Sequence, residues 1–343
     1  MSVRLIQKNK LISDKYTRLI GFLGVYSWVL SNNFIMVEPV SASSEFSASL
    51  ATSVIFDSQV GVDEIDAVTE NSDTAYTLQP KVKGRVENNN LSFSGSYSYK
   101  VTDYSMFDEF NLSVHNFSLT PKIKIDDIDY SVRLDHVKTQ LDGNKFLDLT
   151  LVNLSMQKIF DMRTAIRLSI GQGDKKFHID NNRNANVYSL GVDAYRFSRN
   201  AKSYIAASMN YSQDKAYIDE HSYQQSSINI YGAHTLTDSF ITLKAGFEYY
   251  QRPYDEATEV VSQNITEDNG SPFSNVTENN DEDYSYAEQR QDNKYKIYVA
   301  LESTLYEHIS LDLNISLSHT DSNVTVYDQT EYGAAAGLTY TFK

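Results

Sequence analysis

The 343-residue chain carries 30 Lys and Arg against 45 Asp and Glu, a net charge of −15, and no cysteine. That balance argues against a nucleic-acid partner, and the missing cysteines exclude a disulfide framework and any thiolate metal or redox site. Mean hydropathy is −0.43, and beyond the N-terminal segment no stretch approaches the ~18 uncharged apolar residues of a membrane helix.

At the N-terminus, Arg4, Lys8, Lys10, Lys15 and Arg18 lead into the apolar stretch Leu19–Leu30, followed by small residues around Val40 and Ala42. Basic lead, apolar run and small-residue site in that order predict a signal peptide over residues 1–42, cut after Ala42. An uncleaved anchor helix is the competing reading, and the Ser31-Asn32-Asn33 interruption counts against it because amides are costly in hydrocarbon. Residues 43–343 then form one exported domain.

From Ser43 onward the sequence alternates by twos, and no stretch sustains helical periodicity. Tyr76, Leu78, Pro80, Val82, Gly84 and Val86 share one face, with Lys81, Lys83 and Arg85 on the other. Leu91, Phe93, Tyr97, Tyr99 and Val101 alternate with serines and Lys100. The runs at Tyr188–Ala194, Ile241–Tyr249, Ile309–Leu317 and Tyr332–Phe342 behave alike. Such runs of about 9 to 12 residues suit a tilted strand crossing a bilayer. Alternation is less clean around Leu112, Thr150 and His221, where bulges are expected. With 25 Tyr and 16 Phe against 5 Pro, the composition favours strands.

The connectors fall into two classes. Short ones stand at Asn88–Asn90, Asp126–Asp129, Phe160–Met162, Ser198–Lys202, Thr237–Ser239 and Tyr306–His308. The others, mostly longer and acidic, stand at Asp57–Asp73, Asp103–Phe110, Gln172–Asn184, Gln213–Tyr223, Arg252–Asp292 and Thr320–Asp328. The classes alternate strictly, except that Asp142-Gly143-Asn144 is short where a long one is due. The pattern predicts an all-β fold, a transmembrane antiparallel up-and-down β-barrel of about fourteen strands in a bacterial outer membrane. A water-soluble sandwich would show shorter strands and no two-class pattern.

The chain ends on Glu331–Lys343, with Tyr332, Ala334, Ala336, Leu338, Tyr340 and Phe342 on one face. No helix is available to cover that face, so its solvent is expected to be lipid, and the last strand must close on the first near Phe46–Phe56. The run Gly337–Phe342, with Gly337, Tyr340 and Phe342 in register, resembles the C-terminal signal read by the barrel assembly machinery. Ala335 and Lys343 depart from the usual form. A second resemblance covers Thr102–Leu119 and Thr139–Met156, which look like the barrel portion of the surface lipoprotein assembly modifier family. That resemblance implies a fourteen-stranded barrel with a periplasmic helical-repeat domain, for which no room is expected between Ala42 and Phe46.

Phasing turns Lys81, Lys83, Arg85 and Lys100 inward in the first half, with Lys122, Lys124, Arg133, Arg163 and Arg167 less surely placed. Asp193, Lys244, Glu248, Glu302 and Asp312 turn inward in the second half. A basic arc facing an acidic arc is a way to build a pore wall with a transverse field. Charges that pair and merely fill the lumen are the plainer alternative, but a barrel of this size needs either a channel or a plug.

No chemistry beyond this is expected. Asp135 and His136 are neighbours on a strand, point to opposite faces and form no dyad. Gly171–Lys176 is not followed by a helix, so no phosphate cradle is expected. The acidic 252–292 connector lacks a calcium-loop spacing, since Gly270 would put Ile265 at a ligand position, and reads as a solvated loop with at most loose divalent bridging to lipopolysaccharide. No enzyme, metal or cofactor is expected. The leading reading is a porin-like channel for small hydrophilic or anionic solutes. An export barrel for lipoprotein or polysaccharide with a periplasmic partner, and a non-transporting adhesion barrel, are the alternatives. Expected partners are outer-membrane lipid, lipopolysaccharide and the barrel assembly machinery.

Overall fold

The structure, a computed structural model, describes residues 43–62, 65, 67–69, 71–236, 240–261, 285–324 and 327–342. Residues 1–42, where a signal peptide is expected, and 237–239, 262–284 and Lys343 lie outside the described residues. Ser43–Asp57 forms β1, and a small hairpin of Gly61–Val62 (β2) and Ala67–Val68 (β3) follows. Next come β4 (Asp73–Asn88), β5 (Leu91–Tyr104), β6 (Leu112–Ile125), β7 (Ile128–Leu141), β8 (Asn144–Phe160) and β9 (Thr164–Phe177). The second half is β10 (Ala185–Phe197), β11 (Ser203–Ala216), β12 (Tyr223–Thr235), β13 (Ile241–Val261), β14 (Ser285–Tyr306), β15 (Ile309–Ser322) and β16 (Gln329–Phe342). All but β2 and β3 join one closed antiparallel barrel of fourteen strands, each paired with its chain neighbours and β1 paired with β16.

Period-two alternation sets the two faces. Leu154, Leu190, Ile297 and Ile315 point outward and are more than half exposed, whereas Asp193 and Ser208 point inward at 2% and 1% exposure. An outward belt of this kind needs an apolar solvent, and closure leaves no strand edge unpaired in it. Across the seam, Ala48 faces Phe342, Ser53 faces Gly337 and Asp57 faces Gly333. A Cβ on Gly337 would lie 3.0 Å from Ser53 Cβ and 3.1 Å from the Thr52 carbonyl oxygen. The glycine of the C-terminal motif therefore lets the closing strands approach.

The strands are longer than the apolar runs, from 13 residues in β10 to 22 in β14. Backbone pairing continues past the point where the outward face stops being apolar, so the expected connectors shrink. Arg252 and Asp292, read as the ends of the longest loop, are instead cross-strand partners on β13 and β14. Arg163, expected on a strand, lies in the turn before β9. Tight turns explain the short connectors, including the exceptional one: Asp142 and Gly143 both take positive φ, 48° and 70°, as a two-residue Asp-Gly hairpin requires.

Register shifts occur at Thr139/Gln140, Pro253/Ala257 and Thr304/Tyr306, not at Leu112 or Thr150. His221 sits in a short 3-10 turn. Alternation blurs near Leu112 and Thr150 for another reason: their inward neighbours, Val114, Leu147, Leu149 and Leu151, are themselves apolar. The β2–β3 hairpin covers much of this patch. Val60 and Val62 are fully buried and Ile65 nearly so, in one cluster with the inward Ile55, Tyr104, Leu112, Val114, Leu141 and Phe177. Each such side chain contributes about 1.5–3 kcal/mol relative to exposure. Asp73 accepts backbone hydrogen bonds from Met106 (2.8 Å) and Phe107 (3.1 Å), and the Tyr104 hydroxyl donates to Asp57 at 2.8 Å. The first long connector is thus docked inside the mouth.

Leu190→Arg, in the middle of the outward face of β10, is expected to destabilise the folded barrel in lipid by about 2–4 kcal/mol. Its neighbour Ser189→Arg should cost far less. Urea unfolding in vesicles, read by heat-modifiable gel mobility, compares the two; equal losses would contradict the assignment of faces.

Candidate functional site

The inward face is the candidate site. On one wall, Lys81, Lys83 and Arg85 of β4 project inward beside Ser49, Ser47 and Glu45 of β1 and opposite Ser98, Ser96 and Ser94 of β5. Arg85 is paired with Glu87 at 2.6 Å, Lys122 with Asp129 at 3.4 Å and Arg133 with Asp135 at 2.8 Å. Lys81 has Lys83 and Arg133 as its charged neighbours, which leaves a cationic patch on a serine-rich background. Lys100 stands higher, near Asp57.

The opposite wall is not the acidic arc expected. Asp193 and Asp312 are inward, as are Glu248 and Glu302, but each has a cation at hand. Arg167 Nε donates to Asp193 at 2.7 Å, and Lys244 is paired with Glu302. Asp312 interacts with Lys244, and Glu248 with Lys294 and Lys296. Lys294 also reaches Glu331 at 3.5 Å. The even-numbered phase that turns Glu302 inward turns Lys294 and Lys296 inward too, and those two lysines neutralise the arc. What remains is an asymmetric lumen, with a cationic serine wall on β4 to β7 and a charge-paired wall on β9 to β16.

The paired wall is also the aromatic one. Tyr195, Tyr204, Tyr231, Tyr298, Tyr223, Tyr250 and Tyr254 all face inward on β10 to β14, by the same registers that place their acidic neighbours. The Arg252 guanidinium lies 4.6 Å from the Tyr223 ring centre and 5.0 Å from that of Tyr250, and donates to Gln225 at 2.8 and 3.0 Å. Tyr204 and Tyr231 meet edge to face at 6.0 Å. Several inward positions are glycine, and neighbours lie flat across them: a Cβ on Gly246 would sit 2.5 Å from the Tyr298 ring, and one on Gly191 2.6 Å from Asn210. Flat side chains thicken the wall less than radial ones do.

All ten charged candidates, Lys81, Lys83, Arg85, Lys100, Arg133, Arg167, Asp193, Glu248, Glu302 and Asp312, lie on this inward face. They form two groups on opposite walls and not one cluster. Of the C-terminal motif, Gly337 faces inward at the seam, while Tyr340 and Phe342 face outward with ring centres 4.6 Å apart. Sequence reading missed the docked hairpin, the two neutralising lysines and the tyrosine wall. The first had a signal in the apolar Val60, Val62 and Ile65 within an acidic loop, and the others lie in the same inward phase as the charges.

Among solved structures, the chain is similar to in-vitro folded OmpT, an outer membrane protein of Vibrio cholerae, with a TM-score of 0.51 over 90% of this chain and 100% of that one at 10% identity. It is also similar to an anion-selective porin from Comamonas acidovorans, with a TM-score of 0.50, 88% and 100% coverage, and 7% identity. The chain has the fold of the bacterial outer-membrane β-barrels. Identities this low carry the fold and no more. No family model and no curated protein matches the chain, so the resemblance to surface lipoprotein assembly modifiers has no match behind it. The barrel's outward belt is its apolar surface, and the buried charged and polar residues lie on its inward face.

Arg167→Met strands Asp193, whose side chain is 3% exposed, as an uncompensated charge in the wall, and should cost about 3–5 kcal/mol. The double variant Arg167→Met/Asp193→Leu should recover most of that loss. Urea midpoints of the three proteins test it, and a double variant as unstable as the single would contradict the pairing.

Proposed function

We propose that the barrel is a passive channel for small hydrophilic solutes, with a preference for anions set by the cationic wall. The single observation that supports this most is the unevenness of the lumen charge. Carboxylates on β10 to β16 are matched by cations, whereas the charged neighbours of Lys81 are the cations Lys83 and Arg133. An anion in the lumen therefore meets a net attractive wall, and a cation does not. The docked β2–β3 hairpin narrows the mouth on that side and brings passing solute toward the tyrosine wall. On this reading the protein is not an enzyme, and its surroundings are lipid, lipopolysaccharide and the machinery that inserts barrels.

Purified protein in planar bilayers should give discrete conductance steps and a reversal potential favouring chloride over potassium. Lys81→Glu/Lys83→Glu/Arg133→Glu should move the reversal potential to favour potassium. Selectivity that does not move removes these residues from the conduction path, and an ion-tight membrane overturns the channel reading in favour of an export or surface-binding barrel.

Replacing residues 59–71 by a short Gly-Ser linker should raise single-channel conductance about twofold, since the docked hairpin no longer occupies the mouth. An unchanged conductance would place the constriction elsewhere.

A further inference from the structure

The cationic wall carries more hydrogen-bond donors than the chain itself answers. Lys83, Ser96, Ser118 and Asp135 form one continuous cross-strand row over β4 to β7, all facing inward. Lys81 stands two residues along β4 from Lys83, and Arg133 two residues along β7 from Asp135. Asp135 accepts from Arg133 at 2.8 and 3.0 Å, and both bonds come from Nε. The two terminal nitrogens of that guanidinium have no acceptor among the described residues. Nor does any described carboxylate pair with Lys81. The groups that act on it are the Lys83 ammonium, within hydrogen-bonding reach, and Arg133. β4 and β7 are three strand spacings apart, about 14 Å. The long Lys81 and Arg133 side chains lean over the short Ser96 and Ser118 between them, close enough for their charges to act on one another.

These groups are open to the lumen. Lys81, Lys83, Ser96 and Ser118 are half-buried, and the Arg133 side chain is 25% exposed. Cations held together repel, and elsewhere on this wall the remedy is a carboxylate of the chain: Glu87 for Arg85 and Asp129 for Lys122. Between Lys81 and Arg133 the described residues offer donors instead: an ammonium, the open end of a guanidinium and two hydroxyls. The group that completes them carries negative charge and several acceptors. A chloride ion meets the charge but, as one atom, does not span the donors. A carboxylate is planar, and one guanidinium fork takes both of its oxygens. A phosphate group has oxygens in three dimensions, two for the fork and the others for the ammonium and the hydroxyls. It also carries close to two charges near neutral pH.

We infer that the wall between β4 and β7 is a phosphate-group site, in which Lys81 and Arg133 hold the anion from two sides and Ser96 and Ser118 donate to it from beneath. The inference deepens the channel reading by naming a class of solute, and rests on it for how the phosphate arrives. Free phosphate and the phosphate of an ester present the same group to these donors. The cations face water, so the solute binds weakly enough to leave again, as conduction requires.

The test uses the full chain folded into planar bilayers in potassium chloride, with inorganic phosphate and glucose 6-phosphate as probes. Succinate, a dianion without a tetrahedral head, and glucose are the controls. Both probes should reduce the chloride current saturably, and the controls should not. Lys81→Gln, which strands no carboxylate, should weaken the block roughly tenfold. Arg133→Lys, which keeps the charge and removes the fork, should weaken it to a similar degree, whereas an effect of charge alone would leave it unmoved. Isothermal titration of the detergent-folded protein with the same two probes reads the affinities without conduction. Binding of inorganic phosphate alone names the free ion as the solute, binding of glucose 6-phosphate alone names the ester, and binding of both names the group. Chloride current with neither block nor titration heat overturns the phosphate site and leaves the channel standing. Heat without current overturns the channel and leaves the site, and the absence of both overturns the two together. Equal block by succinate, or affinity untouched in both variants, overturns the site.

Discussion

Everything in this molecule depends on a backbone that must satisfy its own hydrogen bonds where no water is present to do so. Fourteen strands meet that demand only as a closed ring, so the pairing of Ala48 through Asp57 with Phe342 through Gly333 holds the whole structure. Gly337 sits at that seam, where its missing side chain lets β1 and β16 approach. Once the ring is closed, the outward face is free to be apolar and the inward face free to be anything that water tolerates.

The inward face uses that freedom unevenly. One sector takes an apolar cluster and a docked hairpin, so that part of the lumen is a small hydrophobic core built inside a barrel. The next takes serines and an excess of cations. The far wall takes paired charges, tyrosines and inward glycines that accommodate them. Each sector meets a different physical demand: burying an apolar segment, spacing cations among serines, and neutralising carboxylates in the wall. Low sequence identity to other barrels is compatible with this, since the ring demands only alternation and closure while the lumen carries what is particular to the protein.

Much of the ring was legible in the sequence, because alternation, turn chemistry and closure are local or nearly so. Tyr76 to Val86 and Ile309 to Leu317 declare their faces by period two alone, and Asp142-Gly143 declares a tight hairpin. Strand ends were not legible, because β13 and β14 keep pairing where their outward residues turn polar, as at Gln251 and Asn293. Nor were the bulges: apolar inward residues such as Val114 and Leu149 imitate a slipped register when the segment that covers them is far away in sequence. For the site, the inward phase of each charged candidate followed from alternation, but its partner did not. Lys296 beside Glu248 and Arg167 beside Asp193 are cross-strand facts, and so is the row that joins Tyr195 to Tyr298 across β10 to β14.

The absence of native cysteine allows the central claim, lipid on one face and water on the other, to be read residue by residue. Single spin-labelled cysteines at positions 186–196 of β10, in the protein reconstituted in lipid, report collision with oxygen against a water-soluble nickel chelate. Even-numbered positions should favour oxygen and odd-numbered positions the chelate, in strict alternation. Equal chelate access at even and odd positions would mean that the greasy face is not in a membrane, and the barrel would have to be explained in some other solvent.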